Sequence, residues 1–260
     1  MTARETVRKL VPAEARLRAA VARRHLRDWR ARVRFADNRG EADAFPYCIA
    51  DYERDFIDYP GQQHLGQAKR QNQRVLARAL SGVVIGPGEV FSLWRLAGRP
   101  DARAGYAAAA ALKNRQLTWE VGGAICLMST TLYNTALLGA MEIVERRAHS
   151  VDSYGERRYF ELGRDAAIEY GYIDLRFQNL HAYPVRLAVW VDEERVSVRL
   201  EATERPQFTV ALCVSEPEYT GQPAGGLRGV KTQTTRIVRF TDGSERIDDL
   251  GWSVHHSVPG

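Results

Sequence analysis

The residue best suited to chemistry is Cys126, which follows Gly122 and Gly123 and begins a run of strong helix-forming residues. The first N–H groups of a helix have no intrahelical acceptor, and the helix dipole is positive at that end. Both effects stabilise a thiolate and lower the pKa of a cysteine there. The backbone N–H of Cys126 is also a candidate donor to an oxyanion. The position therefore predicts a nucleophilic thiol.

A general base for this thiol is available at His149, which ends the next predicted strand. The intervening chain has the right length for the helix to return antiparallel to that strand. A cysteine paired with a histidine is the arrangement of many thiol amidases and transpeptidases. A third group commonly orients the imidazole. We expect this group to be Asp174, with Asp165 as the second choice and Asn179 as the third.

A small set of residues around the thiol is predicted to bind substrate. The set consists of Gly122, Gly123, Ser129, Thr130 and Asn179. The glycines permit a substrate carbonyl to approach closely, and the hydroxyl and amide groups supply hydrogen bonds. The alternative for Ser129 and Thr130 is that they only bond back to the helix backbone.

The proposed reactive residues also have structural interpretations. Cysteine is among the most buried residue types, so Cys126 is equally compatible with the core. A histidine at the end of a strand is often a surface or capping residue. Asp165 can stabilise a turn through its side chain, and Asp174 can pair with Arg176 or another arginine. The sequence leaves both interpretations open.

Motifs for other chemistries are missing from the sequence. It contains no GxGxxG that opens a helix, no P-loop, no HExxH and no GxSxG. His255 and His256 have no accompanying cysteine or carboxylate cluster, and we interpret them as a surface pair. We expect neither a cofactor nor a metal ion.

Hydrophobic periodicity and turn residues predict the elements that position these groups. Helices are expected at 12–34, 62–79 and 125–139, with an alanine-rich helical piece at 104–112 and a linker or irregular arm at 37–61. Strands are expected at 83–85, 90–93, 118–121, 141–148, 166–170, 173–178, 184–191, 195–201, 208–214 and 230–240. The dipeptide Asp242-Gly243 indicates a hairpin turn. Helices followed by antiparallel strands predict an α+β fold, in which the cysteine-bearing helix packs on the sheet.

The same elements suggest three regions. Residues 1–61 form a basic N-terminal helix with an irregular arm, 62–202 form the core domain, and 203–260 form a β-rich extension packed on that core. The 260 residues are long enough to bury a full core. The three cysteines show no CxxC spacing, so a zinc ribbon and a disulfide framework are both disfavoured.

Charge is concentrated at the N-terminus, where residues 1–36 carry eleven Arg or Lys against three acidic residues, although the whole chain has a net charge of only +5. Residues 12–34 place a thin apolar stripe at helical spacing, made of Ala19, Ala22, Leu26, Trp29 and Val33, among many arginines. We expect this stripe to dock on the domain. The alternatives are an interfacial helix on an anionic membrane and, less favoured because no stacking platform accompanies it, a nucleic-acid contact.

Neither an apolar h-region nor an apolar run long enough to cross a bilayer is visible in the sequence. We therefore expect a cytoplasmic protein, and peripheral attachment to a membrane through the basic helix stays open.

Motifs with fixed order and spacing resemble those of the VanW family over residues 70–200. They lie at 86–94 with Gly98 and 105–106, at 122–134, at 143–150, at 163–166 and at 172–179. The basic helix and the β-rich tail are also similar to short members of the family. The chain departs from the family pattern at Ala124, where a glycine is common, and at Leu127, where a glutamine is common.

The family takes its name from an accessory gene of glycopeptide-resistance operons, so the resemblance implies a role in antibiotic resistance or the cell envelope. Our leading hypothesis is a thiol-dependent amidase or acyl-transfer enzyme that acts on a peptide-like peptidoglycan precursor through Cys126 and His149. The alternative is a non-catalytic module that binds a cell-wall precursor or a partner protein, with the helix N-terminus holding an anionic group.

Overall fold

The computed structural model describes residues 11–57, 63–113, 116–152, 155, 158–221, 226 and 228–257. Four α-helices lie in this part of the chain: α1 (Ala13–Arg30), α2 (Gln63–Leu80), the short α3 (Leu93–Ala97) and α4 (Cys126–Leu138). Pro12 stands immediately before α1, where a missing N–H costs nothing. The predicted helices at 12–34, 62–79 and 125–139 are thereby confirmed to within a few residues.

Fourteen strands are present among the described residues, and they form small antiparallel sheets. They are β1 (Asn38–Arg39), β2 (Tyr47–Asp55), β3 (Val83–Ile85), β4 (Val90–Ser92), β5 (Ala108–Lys113), β6 (Gln116–Val121), β7 (Glu142–Glu145), β8 (Arg176–Gln178), β9 (Val185–Val191), β10 (Arg195–Ala202), β11 (Phe208–Val214), β12 (Glu218–Thr220), β13 (Gly229–Phe240) and β14 (Glu245–His255). The strand orders are β1-β3-β9-β10-β2, β4-β8-β7 and β5-β6, and in a fourth sheet β13 pairs with β11, β12 and β14. The predicted α+β class is confirmed.

The cysteine-bearing helix α4 is the centre of the molecule. Every residue from Leu127 to Leu137 is buried, including the polar ones. A helix that is covered on all sides has neighbours all around it, and here these include β2, β7, β10 and β11. Arg236 of β13 donates to the carbonyls of Leu137 and Met141 at 3.2 and 2.7 Å, so a buried cation lies at the negative end of this helix.

The predicted arm at 37–61 is wrong over much of its length, because β2 runs through it. β2 pairs with β10 over Tyr47–Asp55 and forms the edge of the five-stranded sheet. Ile49 and Ala50 are buried, while many of its other residues face solvent. A strand with one wet face and a free edge needs few apolar residues, which explains why its polar sequence was interpreted as irregular.

The alanine-rich helix predicted at 104–112 is also wrong. A one-turn 3₁₀ helix, Ala102–Ala104, ends where this segment begins, and the second half of the segment is strand β5, which pairs with β6 in a hairpin. Alanine favours helix in isolation, but pairing with β6 overrides that preference.

The helix α1 packs against the body of the protein with the face opposite to the one that we expected. Asp28 is buried and pairs with Arg176 at 2.8 and 2.9 Å, while Leu17 and Val21 lie close to Gly171. The predicted apolar stripe exists, yet Leu26 and Trp29 within it are exposed. Their exposed fractions are 45% and 75%. No helix in the described ranges combines the length and apolarity needed to span a bilayer.

Candidate functional site

The loop that precedes Cys126 is shaped by a close backbone approach. A Cβ atom on Gly123 would lie 2.2 Å from the carbonyl oxygen of Ala109 in β5, so only glycine fits there. Gly122 has a φ of +77° and packs against Pro100. The space beside both glycines is therefore filled by the protein itself, whereas the sequence suggested that it receives substrate.

The residue before Ile125 shows why glycine is common at this family position. Ala124 has a φ of +61°, in the left-handed region that costs a non-glycine residue about 1–2 kcal/mol. Side chains of α2 hold the strained turn: Gln73 donates to the Ala124 carbonyl at 2.6 Å and buried Asn72 donates to the Gly123 carbonyl at 2.9 Å. The loop conformation is thus kept despite the missing glycine.

Cys126 is the first residue of α4, as the sequence predicted, and it is partly exposed. Its thiol forms a hydrogen bond with the imidazole of His149 and accepts one from the backbone N–H of Ile168. Burial raises the pKa of Cys126, but the bond to His149, the imidazolium charge and the Ile168 N–H outweigh that effect. The net pKa is lowered. The arrangement favours a thiolate over a thiol.

The imidazole of His149 lies between this thiol and the carboxylate of Asp165. Its Nδ1 is 2.7 Å from Oδ2 of Asp165, and its backbone N–H donates to the same oxygen at 2.7 Å. Burial lowers the pKa of His149, but the hydrogen bonds to Asp165 and Cys126 raise it to about 10. Since Nδ1–H donates to the carboxylate, Nε2 is the nitrogen that is left to exchange a proton with the thiol.

Asp165 is fully buried and has more partners than His149 alone. Arg146 donates to Oδ1 at 3.0 Å, and Nε2 of His255 lies 3.4 Å from Oδ2. Burial opposes ionisation, yet the bonds to His149 and His255 and the charge of Arg146 hold the pKa of Asp165 far below its usual range. The group is a permanent carboxylate that can stabilise an imidazolium.

His255 is the residue that sequence reasoning missed most clearly. We interpreted it as half of a surface pair, but its exposed fraction is 1%, and only its neighbour His256 remains accessible. Strand β14 has a buried Ser253 and His255 with an exposed Val254 between them, so period-two alternation after the Asp242-Gly243 turn was the available signal.

An aromatic residue fills the space between the two histidines. The ring of Phe160 stacks on His149 at 5.8 Å and on His255 at 5.7 Å, and its exposed fraction is only 3%. The hydroxyl of Tyr159 lies 3.4 Å from Nε2 of His149. These rings limit the access of water to the His149–Asp165 bond, which strengthens it electrostatically. Nothing in the sequence around 159–160 indicated this role.

The residue expected beside His149, Asp174, is located in a different cluster. Its carboxylate accepts from the Ser92 hydroxyl at 2.6 Å, from the Trp94 N–H at 3.1 Å and from Arg176 at 2.8 Å. Arg24 of α1 also lies 3.5 Å from this carboxylate, so Asp174 faces the docked helix α1. The second choice, Asp165, occupies the position beside the imidazole.

The other polar residues predicted at the site are buried and engaged within the chain. The Ser129 hydroxyl donates to the Ala166 carbonyl at 2.6 Å, and Thr130 accepts from the Ala166 N–H at 3.1 Å. Asn179 donates to the carbonyls of Ile85 and Tyr183 at 2.8 and 2.9 Å. The two hydroxyls hold the segment that follows Asp165, and therefore they help to position the carboxylate.

Leu127 stands where a glutamine is common in the family, and its side chain packs in the core with an exposed fraction of 3%. Successive residues of an α-helix differ in direction by about 100°, so this side chain and the partly exposed thiol lie on different sides of α4. The departure from the family pattern thus leaves the groups around Cys126 in place.

These features define an α+β protein with a thiol–imidazole–carboxylate site at the start of a buried central helix. A family model described as "VanW like protein" matches residues 68–201, just over half of the 260 residues. The chain belongs to the VanW family.

Two relatives extend the comparison. The chain is 29% identical over 171 residues to "Vancomycin B-type resistance protein VanW" of Enterococcus faecalis, covering 65% of this chain and 62% of that protein. It is 32% identical over 119 residues to "Uncharacterized protein YoaR" of Bacillus subtilis, covering 46% of this chain and 38% of that protein. The chain thus spans less than two thirds of either relative. No solved structure matches it.

Proposed function

We propose that the chain is a thiol-dependent amidase or acyl-transfer enzyme with Cys126 as nucleophile, His149 as general acid and base, and Asp165 as the group that orients the imidazole. The observation that carries the proposal is the continuous hydrogen-bonded series from the Cys126 thiol through His149 to the buried Asp165 carboxylate. Nucleophile, base and orienting group are the three parts that such catalysis requires.

In the proposed reaction the Cys126 thiolate attacks the carbonyl carbon of an amide, and a C–S bond forms. The carbonyl oxygen becomes an oxyanion, which backbone N–H groups at the start of α4 can stabilise. As the oxyanion collapses, the C–N bond breaks and the imidazolium of His149 gives its proton to the leaving amine. Water or an acceptor amine then attacks the thioester, loses a proton to the imidazole and releases the thiolate.

The substrate class rests on the relatives and not on the geometry. The name of the Enterococcus faecalis relative refers to vancomycin resistance, and we extend that context to this chain by analogy. A peptide-like precursor of the cell wall is a substrate that fits both this context and amide chemistry. A shared family does not establish a shared activity, so the reactive thiol must be tested first.

Alkylation by iodoacetamide across a pH series, read by peptide-resolved mass spectrometry, tests the thiol without knowledge of the substrate. We expect Cys126 to react at pH values well below the ~8.5 of an ordinary thiol. The exposed Cys213 is an internal reference. Cys48 is another, because partial burial and the nearby Asp51 raise its pKa.

The matched variant His149→Ala should remove the reactivity of Cys126 at low pH and leave Cys48 and Cys213 unchanged. If Cys126 is inert in the folded wild type, the nucleophile assignment fails and the non-catalytic binding module becomes the better hypothesis. If the thiol is reactive, incubation with cell-wall peptides should yield a thioester adduct on Cys126 by intact mass. A reactive thiol without an adduct from any peptide would reject the substrate class and leave the site chemistry standing.

A further inference from the structure

The outward face of α1 carries a continuous apolar line. It consists of Ala15, Ala19, Ala22, Leu26 and Trp29, which we call the outer stripe. Their spacing of four and three residues places them on one side of the helix, and all five are exposed. The stripe lies opposite the docked residues Leu17, Val21 and Asp28. Helix α1 therefore presents an apolar line on the side that faces away from the protein.

Basic side chains flank the outer stripe on both sides. Arg18 and His25 lie along one border, and Arg23 and Arg30 lie along the other; all four are exposed. The two acids of α1 offset only part of this charge. Asp28 is buried against Arg176, and Glu14 bonds to Arg18 and Arg99 at the first turn. The face is consequently cationic around an apolar centre.

We propose that the outer face of α1 binds an anionic lipid surface, with Leu26 and Trp29 between the headgroups and the flanking arginines on the lipid phosphates. Tryptophan is enriched where a membrane meets water, because its ring is apolar and its N–H is polar. Two large side chains form a weak anchor alone, so the basic residues must supply much of the binding. This proposal is independent of the chemistry at Cys126.

The charge of the outer face favours an anionic lipid surface over a second copy of the chain. The outer stripe has the spacing of a coiled-coil seam, but its flanking positions are basic on both sides. Two such helices would bring arginine against arginine, which opposes pairing. Duplex nucleic acid would satisfy the arginines but would leave Leu26 and Trp29 exposed to water. An anionic bilayer satisfies both the charged and the apolar parts of the face.

Co-sedimentation of the 260-residue chain with lipid vesicles tests the proposal. Wild type should sediment with vesicles of equal parts phosphatidylglycerol and phosphatidylcholine, and much less with phosphatidylcholine alone. Binding should weaken as salt rises. The double variant Leu26→Ala/Trp29→Ala should bind at least about tenfold more weakly. Arg23→Gln and Arg30→Gln should each lose about fivefold.

The control variant is Trp190→Ala, which removes a tryptophan that is 43% exposed on β9 and should leave vesicle binding unchanged. The substituted residues of α1 are exposed, so thermal unfolding of the variants should match wild type. Arg23→Gln provides a second variant if the double variant fails to fold. Wild type that does not sediment with anionic vesicles overturns the proposal, and so does a folded double variant that binds as wild type does.

Two further measurements assign the face to a different occupant if lipid is wrong. Light scattering that shows a dimer, lost in Leu26→Ala/Trp29→Ala, would make the stripe a contact between copies. Binding to duplex DNA that exceeds vesicle binding and is insensitive to the loss of Trp29 would make the face a nucleic-acid contact. Either result overturns the lipid proposal.

Discussion

Two buried aspartates, Asp165 and Asp174, have exposed fractions of 0% and 1%, and yet they belong to different kinds of site. Asp165 faces two imidazoles and one guanidinium, and the first imidazole leads on to a thiol. Asp174 faces the guanidinium of Arg176, which continues to Asp28 on α1. An arginine is permanently charged, whereas an imidazole can release its proton. A buried carboxylate paired with arginine therefore holds two segments together, whereas one paired with histidine can belong to a proton-transfer path.

The largest expected effect is a loss of stability when Asp174 is replaced. Asp174→Asn removes the carboxylate nearest to Nε of the buried Arg176 and leaves Asp28 and Glu145 as its acidic partners, and we expect the free energy of unfolding to fall by about 3 kcal/mol. Urea unfolding measures this loss. The pH profile for alkylation of Cys126 should remain that of wild type. A shift of that profile in Asp174→Asn would contradict the separation between the two aspartates.

The matched change at the other aspartate should alter reactivity. Asp165→Asn removes the charge that keeps His149 protonated, so the pKa of His149 should fall and the pKa of Cys126 should rise. The thiolate fraction near pH 6 then drops, and the higher intrinsic nucleophilicity of a more basic thiolate offsets part of this loss. We expect alkylation of Cys126 to slow by at least about tenfold. An alkylation rate equal to that of wild type would show that Asp165 does not influence the thiol.

The two aspartates should also differ in their response to alkaline pH. Raising the pKa of His149 to about 10 adds stability that is present below its unfolded value of about 6.5 and is lost as pH rises through 10. The lowered pKa of Cys126 adds stability that is present above about 8.5 and is lost as pH falls. Below about 8.5 the two slopes have opposite signs, and above it the contribution of the pair declines.

The stability difference between wild type and Asp165→Asn should therefore shrink by about 1 kcal/mol per pH unit between 8.5 and 10. The difference between wild type and Asp174→Asn should stay constant over the same range, because arginine does not titrate there. Urea unfolding at several pH values measures both differences. Parallel behaviour of the two variants would show that His149 is not protonated in the folded state.

The smallest effect is expected at His255, which approaches Asp165 at 3.4 Å. His255→Phe retains a ring that can stack on Phe160 and removes the N–H donor. We expect a loss of about 0.5–1 kcal/mol in unfolding free energy and little change in the Cys126 alkylation profile. A loss of reactivity as large as in Asp165→Asn would promote His255 from a supporting to an essential group.

Local chemistry made part of the site predictable. The helix start at Cys126 and the candidacy of His149 followed from glycines, helix formers and strand length, which act over short stretches of sequence. The choice between Asp165 and Asp174 did not follow, because both precede or follow short strands and both are near arginines. His255 and Phe160 reach the site through packing between distant segments, which single-sequence patterns do not encode. The prediction of which face of α1 docks was wrong for a related reason. A buried ion pair lies at this contact, whereas the hydrophobic pattern favours an apolar one.

The position of His255 has a consequence for the order in which the molecule assembles. Cys126, His149 and Asp165 lie within 40 residues of one another, whereas His255 is 90 residues beyond Asp165, in strand β14. Arg236, which meets the end of α4, is 99 residues from Leu137. Contacts so distant in sequence form late, since the loops they close are long. During synthesis the thiol and its base are made well before the strand that supports their carboxylate. His255 and Arg236 therefore join a site whose thiol, base and carboxylate have already been synthesised.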